Sequence, residues 1–269
     1  MATMIRILHS SDLHLDFPFT GDPGKRQQRR ADQLRTFERI VNLAIKSEVD
    51  LLLFVGNLFA CPRPDRQLVD RVRSELQRLV DRGIVPVILP GANDGLPTPD
   101  NVYRQVQFPG VLLHDVGRLS RPISIEVGKE VVHLYGYVRG GQQEVGGTSS
   151  LRRRQMDGYH VGMLQTCIEE VPYFKELPAI DAAGLAGLKL DYVALGNCCR
   201  WQPVEAEGRL LAIAPGSPEG TGFSQTGPRC CALVTLDGKG AVAEKVKVNS
   251  RRLERLSIDM ISRCVQEAI

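Results

Sequence analysis

The feature that most restricts the fold is a run of five consecutive apolar residues, Leu51-Leu52-Leu53-Phe54-Val55, set between two amphipathic segments. A strand with one wet face alternates apolar and polar residues, so a strand apolar at every position is covered on both faces. Upstream, Leu34, Phe37, Ile40, Val41, Ala44 and Ile45 recur at helical spacing with charged residues between them. Downstream, Leu68, Val72, Leu76, Leu79 and Val80 do the same. Short apolar runs at 4–9 and from Ile84 to Leu89 complete a strand, helix, strand, helix, strand order, which predicts a parallel sheet. The polar, Arg-rich stretch through Arg30 reads as a loop.

Beyond Pro90 the runs are shorter and β-like, at 111–116, 121–127, 130–137, 159–165, 191–195, 209–214, 229–236 and 241–248. Asp237-Gly238 carries turn chemistry, and the stretch from Gly140 to Ser150 reads as an exposed loop. Two sheets packed face to face with helices outside satisfy both halves, so the expected fold is α/β, a four-layer α/β/β/α sandwich. Residues 1–248 would form one domain and 249–269 a short C-terminal extension. The start of the chain lacks a signal-peptide pattern and no apolar run reaches the length of a membrane span, which points to a cytoplasmic protein with no membrane contact. Seven cysteines, among them the adjacent pairs Cys198-Cys199 and Cys230-Cys231, form no spaced framework and read as reduced thiols.

In open α/β sheets, sites form at the carboxyl ends of strands. The residues there are Asp12-Leu13-His14 after the first strand, Gly56-Asn57 after the second and Gly91-Ala92-Asn93-Asp94 after the third, with Gln165 and Gly196-Asn197-Cys198-Cys199 ending two later ones. In order and context, ILHSSDLHLD, DLLLFVGNLFA, VPVILPGANDG, HVGMLQT and DYVALGNCCR resemble the five blocks of the calcineurin-like metallophosphoesterases, within them the SbcD-type DNA-repair exonucleases. That family's blocks are D-x-H, G-D-x-x-D, G-N-H-D, a lone His after a strand, and G-H-x-H.

The resemblance implies a site for two divalent cations that clamp a phosphate and activate a water. At about 4 Å apart and an effective dielectric near 20, their mutual repulsion is about 17 kcal/mol, which anionic ligands must offset. Carried across residue by residue, Asp12 and His14 survive as first-metal ligands. The bridging carboxylate becomes Asn57, the second-metal ligands become Ala92, Gln165 and Asn197, and the last first-metal His becomes Cys199. The leaving-group His becomes Asn93, whose amide is no acid near neutral pH, although its neighbour Asp94 remains.

These departures imply a degenerate phosphoesterase without an intact catalytic set, binding no cofactor or at most one zinc or manganese. The alternative is a residual phosphodiesterase or DNA exonuclease using one metal held by Asp12, His14 and Cys199 with Asn57 or a water. His9, His133 and His160 read as core or surface-tip residues, and Cys230-Cys231 as packing, one thiol inward and one outward. Lys25, Arg26, Arg29 and Arg30, with Arg152, Arg153 and Arg154, are candidates for phosphate contact beside the cleft and hence for DNA. The SbcD resemblance further implies an SMC-like ATPase or other protein partner, and a homodimer. In place of the cap that docks that ATPase, residues 249–269 would form the short extension, with Leu256, Met260, Ile261 and Val265 as its expected apolar face.

Overall fold

β1 (Ile5–Ser11), β2 (Leu51–Val55), β3 (Val85–Leu89) and β4 (Val111–Leu112) are mutually parallel neighbours, as the alternation requires. The computed structural model describes residues 4–95, 100–113, 122–138, 151–166, 168 and 180–258. The loop expected from Gly140 to Ser150, and Met260, Ile261 and Val265, lie outside these described residues.

The uniform apolarity of β2 resolves into two faces. Leu52 and Phe54 pack with Phe37, Ile40 and Val41 of α1 (Pro23–Lys46) and with Val72, Leu76 and Leu79 of α2 (Arg66–Val80). Leu51, Leu53 and Val55 face the opposite way, into a second core shared with Val132, Leu134, Val161, Met163, Tyr192, Ala194 and Ile213. A four-residue helix, α3 (Val102–Gln105), adds Tyr103 to the outer core.

The second half contributes β5 (Ile123–Val127), β6 (Glu130–Val138), β7 (Tyr159–Gln165), β8 (Tyr192–Gly196), β9 (Gln202–Ala206) and β10 (Arg209–Ala214), followed by β11 (Cys230–Asp237) and β12 (Gly240–Lys247). Its outer face is covered by α4 (Ala182–Leu188), whose Leu185 and Leu188 meet Leu164, Val193, Leu195 and Ala212. The layers are therefore helix, sheet, sheet, helix. The two sheets expected from the sequence are one: β11 pairs with β1, β12 with β11, and a single residue pair, Leu210 opposite Ala241, joins β12 to β10. The sheet curls so that its halves enclose the central core.

One local expectation is corrected and two elements are added. The Arg-rich stretch before Arg30 is helix, because Asp22 caps α1 by accepting from Lys25 N at 3.0 Å and Pro23 supplies the first-turn φ. α4 and β9 were not anticipated. Ser250 and Arg251 are bonded into the domain: Ser250 N donates to Glu219 Oε2 at 2.8 Å, and Arg251 Nε to Asp32 Oδ2 at 2.6 Å. Thr36 Oγ1 donates to the same Glu219 carboxylate at 2.7 Å. No described helix is long and apolar enough to cross a membrane.

Candidate functional site

The carboxyl ends of β1, β2, β3, β7 and β8 bring Asp12, Asn57, Asn93, Gln165 and Asn197 to one end of the curled sheet. The backbone there is held in an uncommon conformation. Asp12, His14, Asp16, Asn57 and Asn197 all have φ between 45° and 64°. Such left-handed residues cost of order 1–3 kcal/mol each where the side chain is not glycine, least for Asn and Asp, and persist only where the surroundings enforce them. The enforcement is visible: Asp12 N donates to Gly56 O at 3.1 Å, His14 N to Asn57 O at 2.8 Å, and Gln33 Nε2 of α1 to His14 O at 2.8 Å. Close approach does the rest. A Cβ on Gly91 would lie 2.3 Å from both the backbone N and Oδ1 of Asn57, and one on Gly56 would lie 2.4 Å from Gln165 Nε2.

Within this frame the side chains bond to one another. Asn57 Nδ2 donates to Asp12 Oδ1 at 2.9 Å, and Asn57 Oδ1 accepts from Asn93 N at 2.9 Å. Asp12 Oδ2 accepts from Asn197 N at 2.6 Å. Both carboxylate oxygens of Asp12 and both polar atoms of the Asn57 amide are thereby engaged. Asp12 is 4% exposed, and burial raises its pKa to about 6 against the opposing pull of the Asn57 and Asn197 hydrogen bonds. Buried Gln165 makes no well-formed hydrogen bond through Nε2, yet lies near enough for its amide dipole to favour the charged form of Asp12.

His14 is partly exposed, with its Nδ1 3.5 Å from Asn93 Nδ2 and its ring 6.4 Å from that of Phe17. Burial lowers its pKa and the Asp94 charge opposes the shift. Asp94, fully buried, serves the loop: it accepts from Gly91 N at 2.7 Å, Phe59 N at 2.9 Å and Tyr103 Oη at 2.7 Å. Ala92 and Asn93 are exposed beside it.

These donors do not fit a pair of divalent ions. The bridging position carries a neutral amide whose N–H points at the carboxylate a metal would need, and Ala92 has no ligand atom. Nor do Asp12, His14 and Cys199 converge: among the described residues no three His, Cys, Asp or Glu side chains form a group able to hold a metal ion. Cys199 is exposed, and its carbonyl is held by Arg229, a buried guanidinium that also donates to Ser217 O at 2.8 Å.

The remaining sequence candidates fall as follows. His9 bonds Tyr192 Oη at 2.9 Å in the central core, and burial lowers its pKa to about 3. His133 and His160 are buried between protein partners described below. Cys230 and Cys231 are both buried, so neither thiol points outward. Arg29 turns inward to Asp32 and Glu219, each at 3.3 Å, while Arg30 pairs with Asp16 at 3.2 Å beside the cleft. Lys25 and Arg26 are exposed on the first turns of α1. Arg152, Arg153 and Arg154 are not beside the cleft. They precede β7, whose far end carries Gln165, and a seven-residue strand spans roughly 20 Å.

A helix-flanked, curled mixed sheet with its strand-end loops gathered at one end is the architecture of a phosphoesterase, and residues 5–159 match the calcineurin-like phosphoesterase family, to which the chain belongs. Within it the chain is similar to DNA-repair proteins. It is 33% identical over 259 residues to the DNA double-strand break repair protein Mre11 of Sulfurisphaera tokodaii, covering 92% of this chain and 64% of that protein. It is 26% identical over 236 residues to the Mre11 of Saccharolobus solfataricus, covering 80% of this chain and 55% of that protein. The chain thus spans less than two thirds of these relatives. The calcineurin-like phosphoesterase YfkN from Bacillus subtilis shares the fold, with a TM-score of 0.58 at 13% identity over 95% of this chain and 94% of that one.

Proposed function

We propose that this chain is a catalytically degenerate relative of the Mre11 and SbcD nucleases that acts as a non-enzymatic subunit associated with DNA or with an SMC-like ATPase. The observation that carries the reading is the Asn57 side chain. Its Nδ2 sits 2.9 Å from Asp12 Oδ1, so an amide hydrogen occupies the direction along which a shared cation would neutralise that carboxylate. With Asn93 in place of an imidazole, that position cannot protonate a leaving alkoxide near neutral pH. The exposed Lys25 and Arg26, next to the Asp12–His14 loop, support a surface for phosphates rather than a catalytic step.

The test is metal content and turnover of the purified chain. After dialysis against manganese and zinc, the reading expects no stoichiometric metal and no metal-dependent hydrolysis of bis-p-nitrophenyl phosphate or linear DNA. One retained ion per chain, with hydrolysis abolished in Asp12→Ala, would overturn it. For the DNA association, Lys25→Gln with Arg26→Gln should weaken duplex binding at low salt and reduce its salt dependence. Binding unchanged by that pair would remove this surface from the reading.

A further inference from the structure

The pole opposite the cleft carries a second concave surface, lined by Arg153, Arg154, Gln155, Met156, Asp157 and Lys189, with a volume of about 640 Å³. Its backbone is pinned from three elements. Arg153 N donates to Leu188 O at the end of α4 at 2.9 Å, and Arg154 N to Tyr135 Oη of β6 at 3.1 Å. His160 of β7 contacts Met156 O through Nε2 at 3.0 Å, and His133 of β6 contacts Asp157 O through Nε2 at 2.8 Å. Because a carbonyl only accepts, each Nε2 carries the proton, and each Nδ1 accepts a hydroxyl: Tyr135 Oη donates to His160 at 2.7 Å and Ser124 Oγ to His133 at 2.8 Å. The two imidazoles, 4.6 Å apart, thus form a floor under residues 153–157.

On that floor stand three cations. Arg153 is oriented by Asp191 at 2.7 Å and by Gly158 O at 3.3 Å, and Lys189 projects from the left-handed residue that ends α4, at φ 56°. Asp157 is the one carboxylate among the lining residues and Asp191 pairs with Arg153, so three cations face two carboxylates. Met156 is 37% exposed and gives the surface an apolar, polarisable patch beside those charges. Adjacent guanidinium and ammonium groups on a fixed backbone suit phosphate oxygens.

We infer that this groove is a binding site for a nucleotide polyphosphate, with its phosphates on Arg153, Arg154 and Lys189 and its base against Met156. The site stands apart from the degenerate cleft and does not depend on the reading of it. Isothermal titration of the intact chain with ATP and with pyrophosphate tests it. One-to-one binding of both is expected, tighter for ATP, with Arg154→Gln and Lys189→Gln each weakening both by about tenfold. Met156→Ala should weaken ATP and leave pyrophosphate unchanged. Arg154 holds its loop through the backbone N–H, so its substitution leaves the Tyr135 contact in place, and unchanged thermal melting of each variant checks the fold. The inference is overturned if neither ligand binds the unmodified chain, or if both variants bind as it does. It is also overturned if a short single-stranded oligonucleotide binds in an Arg154- and Lys189-dependent way while ATP does not.

Discussion

Replacing Asn57 by aspartate would set a second carboxylate where an amide hydrogen now lies 2.9 Å from Asp12 Oδ1. The change removes a hydrogen bond to a charged acceptor, about 1.5–3 kcal/mol. It also opposes two carboxylate oxygens at about 3 Å, where full ionisation at an effective dielectric of 20 would cost about 5.5 kcal/mol. The pair avoids most of that repulsion by keeping one proton between the two groups, as closely spaced carboxylates do. Holding that proton costs about 1.4 kcal/mol for each pH unit above the pair's apparent pKa. Asn57→Asp should therefore be destabilised by about 2–4 kcal/mol near pH 8 and by distinctly less near pH 5. Urea unfolding at both pH values, with and without manganese, measures it. Manganese should recover part of the loss in the variant, because Asp12, His14 and the new carboxylate then offer three donors, and should leave the unmodified chain unmoved. Equal stability of the two proteins at both pH values, or an equal gain from manganese, would show that Asn57 does not take the place of a cation here.

Asp12 itself makes stability pH-dependent. Its folded pKa of about 6 lies above the ordinary 3.8, so its contribution is full below about pH 4 and is lost as pH climbs through about 6, amounting to about 3 kcal/mol. Denaturant titrations across that window should show the fall, and Asp12→Asn should flatten it. Gly91→Ala should cost about 2–3 kcal/mol by thermal unfolding, because the new methyl meets the Asn57 backbone. Tyr103→Phe removes one of three donors to buried Asp94 and should cost about 1–2 kcal/mol in the same assay. Glu219→Ala removes one acceptor each from Arg29, Thr36 and the Ser250 N–H and should loosen the 248–251 segment, read as faster amide exchange at Ser250 and Arg251.

Much of this architecture was legible in the sequence because strands covered on both faces carry an unmistakable apolar run. Leu51 to Val55 needed two cores, and the structure supplies them, one under α1 and α2 and one between the halves of the sheet. Spacing also gathered Asp12, Asn57, Asn93, Gln165 and Asn197 at one end of the curled sheet, since each ends or follows a strand. What was hidden has physical reasons. α4 is seven residues of Ala, Gly and Leu, too short to show a period, and β9 opens with Gln202 and Pro203, a composition that reads as loop. The start of α1 was signalled by Asp22 followed by Pro23 but masked by the run of charges behind it. The Arg152–Arg154 cluster precedes β7, and a residue before a strand lies at the pole opposite one that follows it; chain order held that information. That the Asn57 amide bonds both the Asp12 carboxylate and the Asn93 N–H is a three-dimensional fact that no spacing carries.

The central claim is that two dications have no home beside Asp12. Crystals of the chain grown in manganese, with anomalous diffraction recorded at the manganese edge, address it directly. The account predicts no anomalous peak between Asp12 and Asn57 and an intact Asn57 to Asp12 hydrogen bond. Two fully occupied ions at that place, with the amide rotated away, would contradict it.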